Sequence, residues 1–587
     1  MWLLHPGFHE VVANSWNIDM ETHCPIYRVM SKLRRLCGEL RTWNKDVFGH
    51  VDIQIADHQR HLLSVQNNIS VMGYSDELFD EEVGAQAALN SILARKHSLL
   101  QQKCRAHWLT DGDRNTEFFH RLLRFRKNNL RLEHLRIGDT VSYDQNVIQQ
   151  HIVDFFSNLF KDDLQHQVDV TMLEANIDHY VTDDHNAALI RIPDDEEIHA
   201  AGDVLKAVKG FFINSYLPTG CNANILILIL KKETVDTVAD LRPIILSNFF
   251  FKIISKILAT RLNKVAAEHV SPNQFGFIGG RSIHDCIILG SEGLSSMNRI
   301  GRKSNMACKI DIRKAFDTMS WDFILKVLGV NGFHEKFVHW ISIIFCSARI
   351  SILYNGQLSG YFPCSRGVRQ GDPLSPILFG IADDVLSHIL LNCVRSHHLI
   401  PLDFSQASHF PTHLFYADDI QIFRKASLRN AHKIKEILDF YGGLSGQICS
   451  SQKSNVSQAM QRSIVRELEF GMGSLPVNYL GVPLFSGRMK ASYLRPIYDK
   501  IIQKFSRWKG LHLSMAGRIC LCYDWLGYKL VDKLGIPDYM HMYLNQAVDD
   551  YYYDGIWHFT EDFVIRFPDV VVDMLVLPIG EEEDARF

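Results

Sequence analysis

The chain has 587 residues, of which 47% are hydrophobic and 22% are charged, a balance typical of a folded globular protein rather than a disordered one. Its formal net charge of −4 argues against a uniformly basic nucleic-acid-binding protein, but it leaves room for locally basic surfaces. No apolar run approaches the ~18 residues that a membrane-spanning helix needs, so we expect no membrane partner.

The twelve cysteines are scattered and form no C-x-x-C pair, so we expect reduced thiols and an intracellular location, with nucleus and cytoplasm both open. The opening residues, MWLLHPGFHEVV, lack the basic region and apolar core of a secretory signal. Their abrupt start is what we expect of a fragment.

In chain order, residues 20–105 carry long helical patterns rich in Leu, Arg, Gln and Glu, which predict packed amphipathic helices. A further helix is predicted within HWLTDGDRNTEFFHRLLRFRKN. Residues 131–200 predict a short hairpin near Gly138 and helices such as NVIQQHIVDFFSNLF. From Cys221 the pattern changes to strand, turn and helix, beginning with the strand-sized run ILILIL. The length predicts about three or four domains.

Two stretches concentrate positive charge. Residues 241–281 hold six Lys or Arg against one acid, and residues 485–509 hold seven against one. In the first stretch, apolar residues at helical spacing predict a helix whose remaining positions carry Lys252, Lys256, Arg261 and Lys264. The loop SPNQFGFIGGR follows, and its three glycines and terminal Arg281 suit close approach to a phosphate backbone.

The segment His413–Phe423, HLFYADDIQIF, places two adjacent carboxylates between apolar runs that predict a buried hairpin. Two negative charges, on Asp418 and Asp419, are unfavourable at such a turn unless a cation binds there. Mg²⁺ typically binds one or two carboxylates and fills its remaining coordination positions with phosphate and water. The alternative is a solvated Ala-Asp-Asp turn, which is common.

Upstream, KIDIRKAFDTMSW places Asp311 at the end of a predicted strand, with a helix beginning near Phe316. A carboxylate there, beside Asp418, would complete the minimum set for two metal ions ~3.5–4 Å apart that support phosphoryl transfer. Taken alone, Asp311 could equally be a surface residue paired with Arg313 or Lys314.

Between these segments lies SRGVRQGDPLSPILF, a polar glycine-containing loop with Arg366, Arg369 and Gln370, followed by Pro373 near a helix start. Such a loop can offer backbone N–H groups and an Arg to phosphate or to a base pair. It matches neither the P-loop nor the dinucleotide-binding fingerprint.

The sequence blocks taken together, in their order along the chain, are far more specific to one family than any single block. The blocks KIDIRKAFD, RGVRQGDPLSP, FYADD, SGQICSSQKS and YLGVPL, preceded by ADLRPIILSNFFFKIISKILATRL and SPNQFGFIGGRSIHD, resemble the reverse transcriptase of non-LTR (LINE-type) retrotransposons, especially those of plants. The resemblance covers about residues 2–550. A group II intron maturase or telomerase-like enzyme would share the fold but fits the flanking blocks less well.

The resemblance implies an α+β right-hand polymerase with fingers, an antiparallel palm sheet and a thumb, preceded by a mainly helical region. We accordingly assign residues 1–19 to the end of an endonuclease, 20–200 to a helical N-terminal region and connector, 201–485 to fingers and palm, and 486–556 to a basic thumb. Residues 557–587 stay unassigned.

The resemblance also implies residue roles. Asp311 and Asp418 would bind two Mg²⁺ ions, with Mn²⁺ as the alternative ion, and Asp419 would support the site. Phe316 would exclude a ribose 2′-OH, Gln370 and Gly371 would line the nucleotide pocket, and Arg242 would reach the triphosphate. Lys453 would be the proton donor to pyrophosphate. The residues expected to contact nucleic acid are Arg281, Arg366, Lys252, Lys256, and, in a primer-grip hairpin at residues 479–484, Tyr479 and Gly481.

The implied partners are an RNA template, a DNA primer and deoxynucleoside triphosphates; the oligomeric state stays open. One departure is important. The family's Lys-Ala-Pro-Gly-Pro-Asp-Gly-Phe block is missing where EEIHAAGD runs directly into VLKAVKGFF, and we expect neither a complete endonuclease nor an RNase H. The alternative function is therefore an inactive retrotransposon remnant that at most binds RNA.

Overall fold

The structure is a computed structural model that describes most of residues 2–499. The described ranges are 2–104 except 50 and 74, 132–162, 168–198 except 178, 202–231, 235–296, 305–402, 410–450, 455–457, 462–485 except 474, and isolated positions within 490–499 and 552–557. Lys453, the predicted helix at 107–128 and most of the predicted thumb lie outside the described residues.

The described α-helices fall mainly before residue 300 and around the two larger sheets. They are α1 (Phe8–Asn17), α2 (Pro25–Trp43), α3 (Val51–Met72), α4 (Asp76–Cys104), α5 (Gln145–Leu159), α6 (Val170–Glu174), α7 (Asp183–Ile190), α8 (Asp195–Ile198), α9 (Gly202–Asn214), α10 (Phe249–His269), α11 (Ile283–Ser296), α12 (Ala315–Thr318), α13 (Trp321–Val330), α14 (Glu335–Cys346), α15 (Ser375–Arg395), α16 (Leu428–Ser445) and α17 (Arg462–Leu468). Short 3₁₀ segments occur at Trp2–Leu4 and Val238–Asp240, and a π-helix occurs at Asn44–Phe48.

The described strands are mostly short. They are β1 (Leu135–Ile137), β2 (Thr140–Ser142), β3 (Ala223–Leu230), β4 (Leu241–Ser247), β5 (Asn305–Asp311), β6 (Arg349–Tyr354), β7 (Gln357–Pro363), β8 (His413–Tyr416), β9 (Asp419–Lys425), β10 (Asn455–Ser457), β11 (Gly471–Gly473), β12 (Val477–Tyr479), β13 (Val482–Leu484), β14 (Tyr552–Tyr553) and β15 (Ile556–Trp557). They form a five-stranded sheet in the order β11-β10-β5-β9-β8, a four-stranded sheet in the order β4-β3-β6-β7, and three two-stranded ribbons. The predicted mixture of helix and sheet is confirmed.

The chain divides into two compact units. One contains residues 1–5, 47–128 and 499–587, and the other contains residues 6–46 and 129–498. In the first unit, α3 and α4 pack through Ile55, Leu62, Leu89 and Ile92. The second unit holds the five-stranded and four-stranded sheets and all of the described motif residues.

Helix α15 lies in the core of the second unit. It begins two residues after Pro373, as predicted, and carries a further proline in its first turn. Among the described residues it is the one helix long and apolar enough to cross a membrane, but 72% of that window is buried within the protein. Its apolar length is therefore explained by its place in the core.

Several local predictions are confirmed. The run ILILIL lies in β3, the hairpin near Gly138 is β1–β2, and the segment His413–Phe423 forms the buried antiparallel hairpin β8–β9. The predicted helix with basic positions is α10. Lys256 and Lys264 on this helix are exposed, but Arg261 is only 8% exposed.

Arg261 is buried because its guanidinium joins three segments. Its Nε and Nη2 donate to the two carboxylate oxygens of Glu197, each at 2.7 Å, and Nη1 donates to the Leu189 carbonyl at 2.9 Å and to the Arg191 carbonyl. This two-pronged geometry is specific to arginine. Arg261 therefore contributes to the fold and not to a basic surface.

Replacing Arg261 with Met should lower the free energy of unfolding by about 3 kcal/mol, because two carbonyls would lose a donor and Glu197 would keep only the weaker bond from Arg191 at 3.3 Å. Urea denaturation followed by circular dichroism measures this change. Lys256→Met, on the exposed side of the same helix, is the matched control and should change stability by about 0.5 kcal/mol or less. Equal losses in the two variants would contradict the role given to Arg261.

Candidate active site

The two adjacent carboxylates lie at the turn between β8 and β9. Tyr416 pairs with Asp419 across the hairpin, so Ala417 and Asp418 form the turn itself. The flanking residues Leu414, Phe415, Ile420 and Ile422 are completely buried, which anchors both strands of the hairpin in the core. Asp418 is exposed at the tip of this rigid support.

Asp311 reaches the same place from the neighbouring strand. Strand β5 runs antiparallel to β9, and the register places Asp311 opposite Asp419. The segment after α16 holds the end of β5, because the N–H of Ser450 donates to the Asp311 carbonyl at 2.8 Å and the N–H of Arg313 donates to the Ile448 carbonyl at 2.9 Å. The structure thus brings together the three carboxylates that the sequence singled out.

Negative charge is concentrated at the turn, where Asp419 and Asp311 add to burial in raising the pKa of Asp418. Asp418 is accessible to solvent, but protein atoms surround most of it. This partial burial, together with the charges of Asp419 and Asp311, raises the pKa of Asp418 to about 6. Arg242 opposes the shift. Lys309 Nζ lies 3.9 Å from Asp419.

Oxygen donors from two strands, with their charge concentrated at one point, suit a divalent cation that keeps water or phosphate in its remaining positions. Asp311 and Asp418 are the residues that would hold it. Among the described residues, the one group of three side chains whose potential ligand atoms lie within 4.8 Å of one another is elsewhere, at His185, Glu268 and His269 on α7 and α10. At the β8–β9 turn, the described His, Cys, Asp and Glu side chains do not by themselves form such a group.

Phe316 and Gln370 lie beside this cluster. The Phe316 ring stacks on Phe379 with centroids 4.4 Å apart, and its carbonyl accepts from the N–H of Val368 at 2.7 Å. The Gln370 side chain donates to the carboxylate of Asp317 at 3.4 Å. The loop containing Gln370 is thus fastened to the helix that carries Phe316.

Strand β4 borders the same loop. The N–H of Ile245 donates to the Gln370 carbonyl at 3.0 Å. Gly371 has φ +109°, and a Cβ there would come within 3.0 Å of the Ile245 carbonyl oxygen, so a glycine is favoured. Arg242 is exposed on β4, close enough for its charge to lower the pKa of Asp418.

Two arginines expected to contact nucleic acid are engaged within the chain. Arg366 Nε donates to the Leu159 carbonyl at 2.8 Å. Arg281 donates to the carbonyls of Val270, Ser271 and Gln274, and therefore fixes the loop before it. That Arg366 and Arg281 contact nucleic acid stays a prediction. Such contacts would use the donor atoms that remain exposed, or they would require these side chains to rearrange.

The predicted primer-grip hairpin lies near the carboxylates, because Lys309 Nζ donates to the Asn478 carbonyl at 2.8 Å and, in addition to burial, the charge of Asp419 helps to raise the pKa of Tyr479. Tyr479 and Gly481 do belong to a hairpin, β12–β13, but the Tyr479 ring is buried and its hydroxyl lies 3.2 Å from Cys286 Sγ. Lys252 and Lys256 are on α10, half-buried and exposed respectively. Lys453 lies outside the described residues.

Sequence reasoning assigned no role to Asp317, Gln274 or Asp383, yet each is buried at or behind the turn. Asp317 is only 2% exposed, and burial raises its pKa to about 7, with Lys314 opposing the shift. Gln274 accepts from the N–H of Ala417 and donates to Asp383. The available signals were the second Asp of KIDIRKAFD and the Gln of SPNQFGF, both within quoted blocks.

Comparison with known proteins agrees with this geometry. Residues 229–484 match the family described as "Reverse transcriptase (RNA-dependent DNA polymerase)". The chain is 25% identical to the "Transposon TX1 uncharacterized 149 kDa protein" of Xenopus laevis over 83% of this chain and 39% of that protein. It is also 29% identical to the "Retrovirus-related Pol polyprotein from type-2 retrotransposable element R2DM" of Drosophila melanogaster, over 36% of this chain and 19% of that protein.

A third relative, the "Retrovirus-related Pol polyprotein from type-1 retrotransposable element R2" of Popillia japonica, is 29% identical over 30% of this chain and 25% of its own length. The chain thus spans well under half of each of these relatives. The carboxylate cluster and its neighbours described above lie within residues 229–484, apart from Leu159 on α5.

Residues 229–484 are therefore a reverse transcriptase domain, the class of RNA-directed DNA polymerases that use divalent metal ions, a nucleic acid template and nucleotide substrates. The domain is of the non-LTR retrotransposon type, as predicted from the ordered motifs. Its plant affiliation stays a prediction.

Gly276→Ala should distort the turn, because the added Cβ would lie 2.4 Å from the backbone nitrogen of Ala417, where neither side can yield. We expect a loss of about 2 kcal/mol in the free energy of unfolding. Gly443→Ala on α16 is the control, since nothing lies within 4 Å of its added Cβ and the helix should gain up to about 1 kcal/mol. Urea midpoints distinguish the two, and equal midpoints would contradict the close approach.

Asp317→Asn should remove a pH dependence of stability. Because the folded-state pKa is raised from 3.8 to about 7, the protonated carboxyl stabilises the wild-type fold below pH ~4, and this contribution is lost as the pH rises towards 7. The variant should therefore gain roughly 2 kcal/mol relative to wild type between pH 5 and pH 8.

Urea unfolding with a metal chelator present measures this difference. Asp285→Asn, which changes an exposed carboxylate on α11, is the control and should run parallel to wild type. A parallel Asp317→Asn curve would show that Asp317 is ionised throughout.

Proposed function

We propose that the chain is an RNA-directed DNA polymerase that extends a DNA primer on an RNA template with deoxynucleoside triphosphates. The observation that carries this proposal is the β5–β9 register, which sets Asp311 opposite Asp419 and beside the Asp418 turn. Around this point four other sequence blocks are joined by hydrogen bonds, at Ile245, Phe275, Val368 and Ser450. A solvated Ala-Asp-Asp turn would need none of them.

In this proposal Asp311 and Asp418 bind two Mg²⁺ ions, or Mn²⁺ in their place, and Asp419 supports the site. The ions supply activation of the primer 3′-OH and neutralisation of the leaving pyrophosphate. The raised pKa of Asp418 fits this role, because a carboxylate whose negative charge is disfavoured gains most from a bound cation. Lys453 remains the proposed proton donor.

The nucleotide would lie between Phe316, Gln370 and Gly371, with Arg242 on β4 reaching its triphosphate. Stacking on Phe379 fixes the position of the Phe316 ring. In this position the ring would exclude the 2′-OH of a ribonucleotide. The bond from Gln370 to Asp317 and the bond from Ile245 to the Gln370 carbonyl fix the opposite wall. A pocket with rigid walls favours selective binding.

The larger arrangement follows from the same proposal. The five-stranded sheet would be the palm, the β3–β4 region with α10 the fingers, and residues 486–556 the thumb. Residues 1–19, 20–200 and 557–587 keep the assignments made from sequence. The hairpin β12–β13 would be the primer grip.

Asp418→Asn should reduce primer extension by about a thousandfold or more, because metal binding supplies several kcal/mol of the transition-state stabilisation. The assay uses a homopolymer RNA with an annealed DNA primer, deoxynucleoside triphosphates and Mg²⁺. Asp439→Asn, an exposed aspartate on α16, is the matched control and should retain wild-type extension. Full activity of Asp418→Asn would exclude Asp418 from the catalytic site.

One observation favours a second function, that of an inactive remnant that binds RNA. Apolar side chains are exposed on and next to β3 and β4, namely Ile213, Tyr216, Ile225, Ile229, Leu246 and, at 78% exposure, Phe249. A missing finger block would leave such side chains uncovered. A remnant would shift the RNA–DNA duplex in a gel yet add no nucleotide, whereas the polymerase would do both.

A further inference from the structure

The turn that carries Asp418 has a conformation that needs support. Ala417 has φ +52°, in the left-handed region that residues other than glycine, asparagine and aspartate rarely occupy. Such a conformation persists when surrounding contacts fix it. The N–H of Ala417 donates to Gln274 Oε1 at 3.1 Å, so a buried side chain from another segment holds this peptide unit.

The side-chain amide of Gln274 can make its hydrogen bonds in only one of its two orientations. Its Oε1 accepts two backbone N–H groups, from Ala417 at 3.1 Å and from Gly276 at 3.0 Å, while its Nε2 donates to Asp383 Oδ2 at 3.3 Å. The opposite orientation would set an NH₂ group against two N–H donors and an oxygen against a carboxylate. Asp383 therefore selects the orientation that holds the turn.

Asp383 is itself held in place. It lies fully buried on α15, and its Oδ1 accepts the hydroxyl of Tyr441 on α16 at 3.0 Å. Burial raises the pKa of Asp383 well above its usual range, and its two donors, Tyr441 and Gln274, oppose that rise. An acidic residue therefore lies in the core with hydrogen bonds from Gln274 and Tyr441.

The backbone around Gln274 is equally constrained. The N–H of Phe275 donates to the Phe415 carbonyl at 2.7 Å, and the N–H of Phe415 donates to the Asn273 carbonyl at 2.8 Å, so this segment pairs with the edge of β8. Arg281 holds its carbonyls from the other side. Gln274 is thus a fixed point from which the turn can be positioned.

We propose that Gln274, Asp383 and Tyr441 are positioning residues that hold the Ala417–Asp418 turn in the conformation in which Asp418 binds a divalent metal ion. This inference rests on the proposed function for the identity of Asp418 as a metal ligand. Removal of outer hydrogen-bond partners from metal sites weakens metal affinity by about 10- to 100-fold in other proteins.

The test measures Mn²⁺ binding to the full chain by electron paramagnetic resonance of the free ion, without primer, template or nucleotide. Gln274→Glu keeps an acceptor for Ala417 but replaces the Nε2 donor to Asp383 with a second acidic group, so affinity should fall about tenfold or more. The double variant Gln274→Glu with Asp383→Asn restores complementarity, because the new amide can donate to Glu and still accept from Tyr441. The Mn²⁺ affinity of this double variant should recover to within about threefold of the wild-type affinity.

A generic loss of stability would not give this pattern, because a second buried substitution would then weaken binding further. Asn222→Asp, which places a carboxylate at an equally buried amide in the same compact unit, is the matched control and should leave Mn²⁺ affinity unchanged. Where Gln274→Glu does not fold, Tyr441→Phe provides the second arm, with a loss of several-fold expected from the removal of one donor.

Unchanged Mn²⁺ affinity in Gln274→Glu or, where that variant does not fold, in Tyr441→Phe would overturn the proposal, as would a double variant weaker than Gln274→Glu. A wild-type chain that binds no Mn²⁺ would overturn it as well. A wild-type chain that binds Mn²⁺ and shows the rescue, yet extends no primer, would support the positioning role and contradict the polymerase activity instead.

Discussion

The antiparallel pairing of β5 with β9 is the constraint on which the site depends. Its register matches Ile310 with Ile420 and Cys308 with Ile422, all completely buried, and the same register leaves Asp311 opposite Asp419 at the open end. A shift by one residue would turn every side chain of β5 to the other face of the sheet. Core packing thus decides where the carboxylates meet, although the carboxylates themselves oppose the meeting by repulsion.

The protein supports this repulsive cluster largely with neutral groups. The turn is held by the amide of Gln274, by backbone pairing with the edge of β8 and, one step further away, by the hydroxyl of Tyr441. Arg281 strengthens the same support, but it does so by donating to carbonyls. A cation bonded directly to Asp418 would weaken the negative potential that attracts a metal ion, whereas neutral donors fix the geometry and leave that potential in place.

The sequence predicted the parts of the site that depend on local pattern. Alternating and continuous apolar runs located β5 and the β8–β9 hairpin, and Pro373 located the start of α15. The residues that support the turn were missed because their partners are remote in sequence. Gln274 and Ala417 are 143 residues apart, and Gln274 and Asp383 are 109 apart. No periodicity connects such positions, so only the tertiary structure reveals the contact.

Arginine was the least predictable residue type, for a related reason. A guanidinium offers five donors, and carbonyls at helix and loop ends compete for them with any phosphate. Arg261 and Arg281 lie in a stretch where the sequence suggested a basic surface, and Arg366 lies in a loop expected to offer an arginine to phosphate or a base pair. Each nevertheless bonds to carbonyls of the chain, in one case 207 residues away. The number of positive charges in a stretch therefore overestimates the charge available to a ligand.

The chain of contacts behind the turn also sets an order in time. Tyr441 follows Asp383 by 58 residues, which a ribosome adding ~5–20 residues per second takes roughly 3–12 seconds to synthesise. During that interval Asp383 lacks one of its two side-chain donors, because Tyr441 has not yet been synthesised. Synthesis of α16 therefore adds the last of these contacts, and a messenger truncated before Tyr441 would encode Asp311, Asp418 and Asp419 but not the second donor to Asp383.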